Sequence, residues 1–467
     1  MSTSSSATDD LRSWLNTELA RLIAAHGVPG AAVGVLIDDE TIDSAAGLLH
    51  LGTGVEADTD SLFQIGSITK VWTATLVMQL VDEGLLDLDT PIRAYLPEFH
   101  IADEDAAAAI TARHLLSHRA GFEGDLFTDT GRGDDCVQKY VATLADTPQL
   151  FPPGERFSYN NAGYVVLGRL VEVLRGAHWE RVLTEHLIEP LGLRHAAPGP
   201  YEAIMHRVAQ GHVADPEGTL VPAPMWSLVR SNGPAGASLS MTARDLLAFA
   251  RMHLANGQAA DGRRVLSEES VGAMREIHAE VPDLGLLGNA WGLGWEIDET
   301  TAGRVVSHDG NTIGQSAFLR ILPARGIAIA LLTNGGDSMA LYRELFGALF
   351  DRLTGAELLK PLPTPPDLEE TLEETEAAYY VGTYSASILD MIVTRDDEGR
   401  LWVDEVPKGA FAELAQPQQR TRLVPYHDGS LITLEKRMGT HFVYAFVGVD
   451  GEPARFLHTG RAMPRHP

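Results

Sequence analysis

Apolar positions along this chain follow two periods, and the switches between them mark out its elements. Residues 9–25 repeat them at helical spacing up to Val28-Pro29-Gly30, where proline cannot continue a helix and glycine can turn the chain. Residues 31–37 and 42–51 read as two strands of a hairpin across the acidic turn Asp38-Asp39-Glu40. Gly66 then breaks the pattern, and Val71, Leu76, Val77, Leu80 and Val81 recur at helical spacing, which predicts a helix from Ser67 to Gly84. Residues 85–99, broken by Pro91 and Pro97, read as a loop with a short helix. After a turn at Pro152-Pro153-Gly154, the apolar residues Tyr164, Val165, Leu167, Leu170 and Val171 predict a helix over 162–174. Strands return at 304–307, 315–322 and 326–332, followed by a helix over 338–353. Strands at both ends of a helical middle predict one α+β sheet whose outer strands come from distant parts of the chain.

The run Lys360-Pro361-Leu362-Pro363-Thr364-Pro365-Pro366 reads as a stiff linker, because stacked prolines favour an extended chain. Beyond it, residues 379–464 alternate as strands with turns at Asp396-Asp397-Glu398-Gly399, His427-Asp428-Gly429 and Asp450-Gly451. That is an antiparallel meander, expected to close as a small barrel. The division is therefore a domain over 1–358, a linker over 359–371 and an all-β domain over 372–467. Two domains also suit 467 residues, which exceed what one core usually supports.

Composition narrows the function classes. The formal net charge of −28 argues against nucleic-acid and anionic-membrane partners, which need a basic face. Cys136 is the single cysteine, which leaves no intrachain disulfide and no multi-cysteine metal site. It sits in a polar stretch with no activating partner and is expected to be inert. No secretory signal opens the chain and no apolar run is long enough to span a bilayer, so a cytoplasmic location is expected. His114 and His118 stand four apart on a predicted helix, but the glutamate of a zinc-protease motif is missing, and no metal or other cofactor is expected. Gly233-Pro234-Ala235-Gly236 lacks the Lys-Ser/Thr of a phosphate loop and reads as a loop near the active-site rim. Acidic pairs such as Glu369-Glu370 and Glu373-Glu374 read as a solvated face.

Ser67 and Lys70 would lie one helical turn apart on a shared face. A serine at a helix N-terminus sits where unpaired N–H groups favour a developing oxyanion, and a lysine one turn on can take its proton or hold a neighbouring base ionised. Of the five lysines, at 70, 139, 360, 408 and 436, only Lys70 has a serine three residues earlier.

Ser67-Ile68-Thr69-Lys70, then Tyr159-Asn160-Asn161, then His308-Asp309-Gly310 resemble, in that order, the three motifs of the penicillin-binding-protein and class C β-lactamase superfamily of serine hydrolases. Leu115-Leu116-Ser117-His118-Arg119-Ala120-Gly121, Pro153-Gly154-Glu155-Arg156-Phe157 and Trp291-Gly292-Leu293-Gly294-Trp295 are similar to supporting segments of the family. The resemblance spans about residues 10–355 and implies an antiparallel sheet flanked by helices. It makes Ser67 the acylated nucleophile, Lys70 its charged neighbour and Tyr159 the general base, with a phenol that ionises more easily beside an ammonium group. Asn161 matches the position that bonds the substrate amide and the lysine. Ser67 and Asn311 would supply the oxyanion-hole N–H groups, with His308 beside them and Gly310 letting the strand approach the acyl group.

His308 stands where penicillin-binding proteins and true β-lactamases carry a lysine that helps hold the substrate carboxylate. A histidine is only partly charged near neutral pH, so the resemblance shifts toward the esterase, D-amino-acid amidase and peptide-cyclase branches. The C-terminal part resembles the lipocalin-like barrel of some D-aminopeptidases and of penicillin-binding-protein-type thioesterases that cyclise nonribosomal peptides. Arg461 and Arg465 are placed to reach a peptide carboxylate at the site's rim. The expected substrate is a small molecule or peptide, a carrier-bound peptidyl thioester among the choices. The alternatives are a β-lactamase and, from another class, a catalytically dead binding module.

Overall fold

A computed structural model describes residues 2–466 except 38, 286, 358, 367–371, 409–418, 428, 438 and 450. The predicted turn residues Asp38, Asp428 and Asp450, the pair Glu369-Glu370 and the end of the proline linker lie outside the described residues.

The continuous apolar run near residue 330 is a central strand. Ile327–Thr333 pairs antiparallel with Gly30–Ile37 on one side and Ser316–Leu322 on the other, so strands from both ends of the helical middle meet inside one sheet. Outward from there run Glu40–His50 and Val55–Glu56 in one direction, and Gly303–Asn311, Glu296–Thr300, Ala290–Trp291 and Ala279–Glu280 in the other, nine strands in all. Ile327, Ile329 and Leu331 pack on one face with Leu15, Leu19 and Leu22 of the helix Ser2–Ala25 and Leu345 and Phe346 of the helix Ser338–Thr354. Ala328, Ala330 and Leu332 face the other way, into a helical layer. Covering both faces is what lets a strand be apolar at every position.

That layer is built around the helix Thr69–Asp82, whose residues 69–80 are all buried. It is the middle of the layer and not an amphipathic surface helix, which its alternation alone did not reveal. The helix does not begin at Ser67 as predicted. A short 3₁₀ turn over Gly66–Ile68 comes first, and Ser67 sits in it. The helix Asn161–Arg175 packs alongside, capped by the Asn160 side chain, which accepts the Gly163 N–H at 2.7 Å.

The C-terminal part forms a second sheet of eight antiparallel strands, from Gly382–Ser385 to Ala462–Pro464, each beside its neighbour in sequence. A bridge between Tyr384 and Arg465 joins the first strand to the end of the chain and nearly closes the barrel, as the meander predicted. Among the described residues no helix is long and apolar enough to cross a membrane.

Candidate active site

Ser67, Lys70, Tyr159, Asn161, His308, Gly310, Asn311 and Arg461 come from four separate stretches, and the fold gathers them at one cleft of about 290 Å³. Lys70 lies just beneath its floor. Apolar side chains of Phe127, Leu228, Leu287 and Trp291 make much of its wall.

Lys70 is fully buried. Its Nζ lies 3.1 Å from Ser67 Oγ and donates to the Ala235 carbonyl at 2.6 Å, so the loop around Gly233-Pro234-Ala235-Gly236 borders the cleft as predicted. Burial pushes the Lys70 ammonium well below its ordinary value, the nearby Arg461 adds to the effect, and Asp125 opposes it.

Tyr159 hydrogen-bonds the Ser67 side chain, and its ring lies under Lys70 Nζ at 4.9 Å from the centroid. Its acidity departs from the sequence expectation. Burial raises the phenol above its ordinary value, an effect the Ser67 bond and Arg461 only partly offset. Desolvation of the phenolate therefore outweighs the neighbouring cations, and the lysine is the group poised to be neutral.

His118 supports the tyrosine from behind. It is not on a helix with His114, because the helix Ala112–Leu116 ends first and His118 adopts a left-handed backbone, φ +56°. Its ring stacks on Tyr159 with centroids 4.3 Å apart, and its Nδ1 accepts the Asn160 N–H at 2.9 Å. That bond places the ring proton on Nε2, which is buried without a partner.

Asn161 lines the cleft but does not contact Lys70 through any hydrogen bond. Its Nδ2 donates to Asp125 Oδ1 at 2.7 Å, and Asp125 Oδ2 accepts Arg461 Nε at 2.9 Å. Arg461 borders the cleft and lies over the Tyr159 ring at 4.8 Å. Arg465 does not. It stays in the barrel, donating to the Val381 carbonyl and lying over Tyr384.

The barrel grips the segment that carries Tyr159. The Tyr159 N–H donates to the Gly460 carbonyl at 2.9 Å, the Ala462 N–H to Ser158 Oγ at 3.1 Å, and His458 Nε2 to the Phe157 carbonyl at 2.9 Å. These bonds come from the hairpin formed by Phe456–His458 and Ala462–Pro464.

His308 lies within the strand Gly303–Asn311, whose last residues pair only with Ser316–Leu322 because Glu296–Thr300 stops opposite Ser307. Burial and Lys70 depress the imidazole to about 3, so it is neutral and not the partly charged group expected. Its Nδ1–H donates to the Asp309 carbonyl at 2.7 Å, leaving Nε2 as a lone pair without a partner. Asp309 is neutralised by Arg320 at 2.5 and 3.1 Å.

Two glycines set the gap at Ser67. A Cβ on Gly310 would stand 1.9 Å from the Ile65 carbonyl oxygen and 3.0 Å from the Ser67 nitrogen, and one on Gly66 would stand 2.6 Å from the Asn311 nitrogen. No side chain fits there, and the Ser67 and Asn311 stretches face each other at backbone distance.

Asp125, His118 and Glu296 escaped the sequence reading. His118 lay inside a quoted segment and was weighed only as a metal ligand, whereas the other two lie outside every quoted motif. Cys136 is buried, and burial pushes its thiol up to about 11, in keeping with an inert cysteine.

The fold, with a serine beside a buried lysine and a tyrosine, defines a class, and residues 15–353 match the family model described as Beta-lactamase. The chain belongs to that family of serine hydrolases and acyltransferases, and membership supports an enzyme. It is similar to penicillin-binding protein 4 of Amycolatopsis lactamdurans, 44% identical over 348 residues that cover 73% of this chain and 90% of the relative. Among solved structures it resembles SurE, 31% identical with a TM-score of 0.77 over 97% of this chain and 99% of SurE, a protein also solved with D-Leu. It also resembles D-amino acid amidase from Ochrobactrum anthropi SV3 solved with L-phenylalanine amide, 25% identical with a TM-score of 0.58 over 70% of this chain and 92% of the amidase. The SurE likeness runs through the C-terminal barrel, whereas the family model ends at residue 353.

Proposed function

We propose that this chain is a serine acyl hydrolase or acyltransferase that forms an acyl-enzyme at Ser67 from ester, thioester or amide bonds of small peptides or acyl substrates, D-residues among them. The observation that carries the reading is the 3.1 Å approach of Ser67 Oγ to a fully buried Lys70 Nζ. Neutral Lys70 takes the Ser67 proton on its lone pair as Oγ attacks the acyl carbon. The carbonyl oxygen becomes an oxyanion between the Ser67 and Asn311 N–H groups, across the gap that Gly310 keeps open. Tyr159, protonated and bonded to Ser67, passes its proton to the leaving group and recovers one from Lys70. Water or an amine then attacks the acyl-enzyme by the same route in reverse. Water gives an esterase or peptidase, and an amine gives transfer or peptide cyclisation.

Asn161, fixed by Asp125, orients the substrate amide. His308 shapes the cleft as a neutral group, which disfavours a β-lactam carboxylate and ranks β-lactamase activity second. Arg461 receives a substrate carboxylate at the rim, where its side chain is 42% exposed. The likenesses to a D-amino acid amidase and to a protein solved with D-Leu support substrates with D-residues. We further propose the division into a catalytic domain over 1–358, a linker over 359–371 and a barrel domain over 372–467.

The test is intact-mass detection of acylation by a fluorophosphonate, a β-lactam, a short acyl ester, a D-amino-acid amide and a peptidyl thioester, with products identified. Adducts should vanish in Ser67→Ala. Turnover that survives Ser67→Ala would refute the serine mechanism, and hydrolysis of the β-lactam alone would reverse the ranking.

A further inference from the structure

Beside the main cleft lies a smaller cavity of about 60 Å³, and Leu287, Glu296 and Asp309 border both. Three acids, Glu296, Asp298 and Asp309, meet three bases, Arg320, Arg343 and Lys360, around it, and Arg343 is turned to the Lys360 carbonyl at 2.6 Å. Asp309 is held by Arg320 at 2.5 Å, and Asp298 by Lys360 at 2.7 Å. Glu296 has no cation of its own among the described residues. Its Oε1 accepts the Gly288 N–H, and no described group donates a hydrogen bond to Oε2. The residue is only 5% exposed, and what it borders is the free volume of the two cavities.

A carboxylate withdrawn from water without a counter-charge is costly, so any cation that reaches it gains strongly. The cleft that Glu296 borders is also lined by Tyr159 and Trp291, and aromatic rings attract cations. We propose that Glu296 is the anionic half of a subsite for a primary ammonium group on an amino-acid or peptide substrate. This deepens the acyl-transfer reading above and rests on it for the identity of the substrate. The subsite selects acyl donors or acceptors with a free amine over their N-acylated counterparts. It supplies the charge recognition that a neutral His308 does not.

The test is calorimetric binding of D-leucinamide and N-acetyl-D-leucinamide at pH 7.5 in a Ser67→Ala background, with and without Glu296→Gln. The substitution should weaken D-leucinamide by about 10-fold or more, the size expected for a charge-assisted contact, and leave the acetylated compound within about 2-fold. Equal losses for both compounds, or none for D-leucinamide, would overturn the subsite. Should Glu296→Gln fail to fold, the unsubstituted chain still decides the matter. Burial and Asp309 lift the Glu296 carboxyl to about 7. The affinity of n-butylamine, charged throughout, should therefore rise as pH climbs from 5.5 to 8, and a flat profile would refute the proposal. The groups facing Glu296 from neighbouring elements are Asp309, Arg320, Tyr342, Arg343, Lys360, His308 and Tyr159, with Asp298 on its own strand. Failure of Ser67 to take up a fluorophosphonate would sink the serine mechanism and leave this binding contrast standing.

Discussion

Glutamine at position 296 should stabilise the fold, and do so mainly above the acid range. Glu296 is 5% exposed, and burial, with Asp309 nearby, lifts its carboxyl from 4.5 to about 7. An acid with a raised pKa holds its proton more tightly folded than unfolded, so its stability contribution is intact below about 4.5 and is lost as pH climbs through 7. At about 1.4 kcal/mol for each tenfold change in proton affinity, the loss by pH 8 amounts to about 3 kcal/mol. Glutamine keeps the shape and the oxygen that faces the Gly288 N–H, but never ionises. With an unfolding entropy of about 2.1 cal/mol/K per residue, the gain is about 3 °C in melting temperature for a chain of this length. Calorimetric melting at pH 5.5 and pH 8 should show a gain for Glu296→Gln at both, the former less than half the latter. A gain independent of pH would mean that packing and not charge is responsible. A lower melting temperature at pH 8 would mean that the carboxylate is already satisfied, and would refute the reasoning.

The remaining predictions concern the serine site. Lys70→Arg puts a permanent cation beside Ser67 and should slow fluorophosphonate labelling at least about 100-fold, the usual size of a lost general base. The pH limb of labelling should move in opposite directions when the flanking charges go. Arg461→Gln removes a cation that depresses Lys70 and shifts the limb to higher pH, whereas Asp125→Asn removes an anion that raises it and shifts the limb lower. A pair of variants that moved the same way would separate Lys70 from that limb. Gly310→Ala would place a methyl 1.9 Å from the Ile65 carbonyl oxygen, so labelling should fall to background even where circular dichroism reports a folded chain.

The stretches that meet at the cleft are legible in the sequence because turn chemistry, helix capping and short contiguous signatures are local properties. Ser67, Lys70 and Tyr159 all reach the cleft from such stretches. What stayed hidden depends on burial, which a sequence does not print. A phenol beside a lysine was expected to ionise more readily, and the low dielectric around Tyr159 reverses that. Asn161 was matched to Lys70, but Asp125, thirty-six residues away, claims its amide. The short strands Ala279–Glu280 and Ala290–Trp291 offer two residues each, too few for an alternation to be seen. Glu296 begins a strand as an ordinary charged residue, and only the sheet around it makes its charge conspicuous.

The hairpin that holds the Tyr159 segment also fixes when in synthesis that segment can be braced. Phe157, Ser158 and Tyr159 leave the ribosome about three hundred residues before Gly460 and Ala462, so a nascent chain holds Ser67 and Lys70 long before it can brace Tyr159. Translation that stalls inside the barrel yields a protein that holds Ser67 and Lys70 in an unfinished cleft. A chain cut short inside the barrel would lack the three bonds that hold residues 157–159 in place.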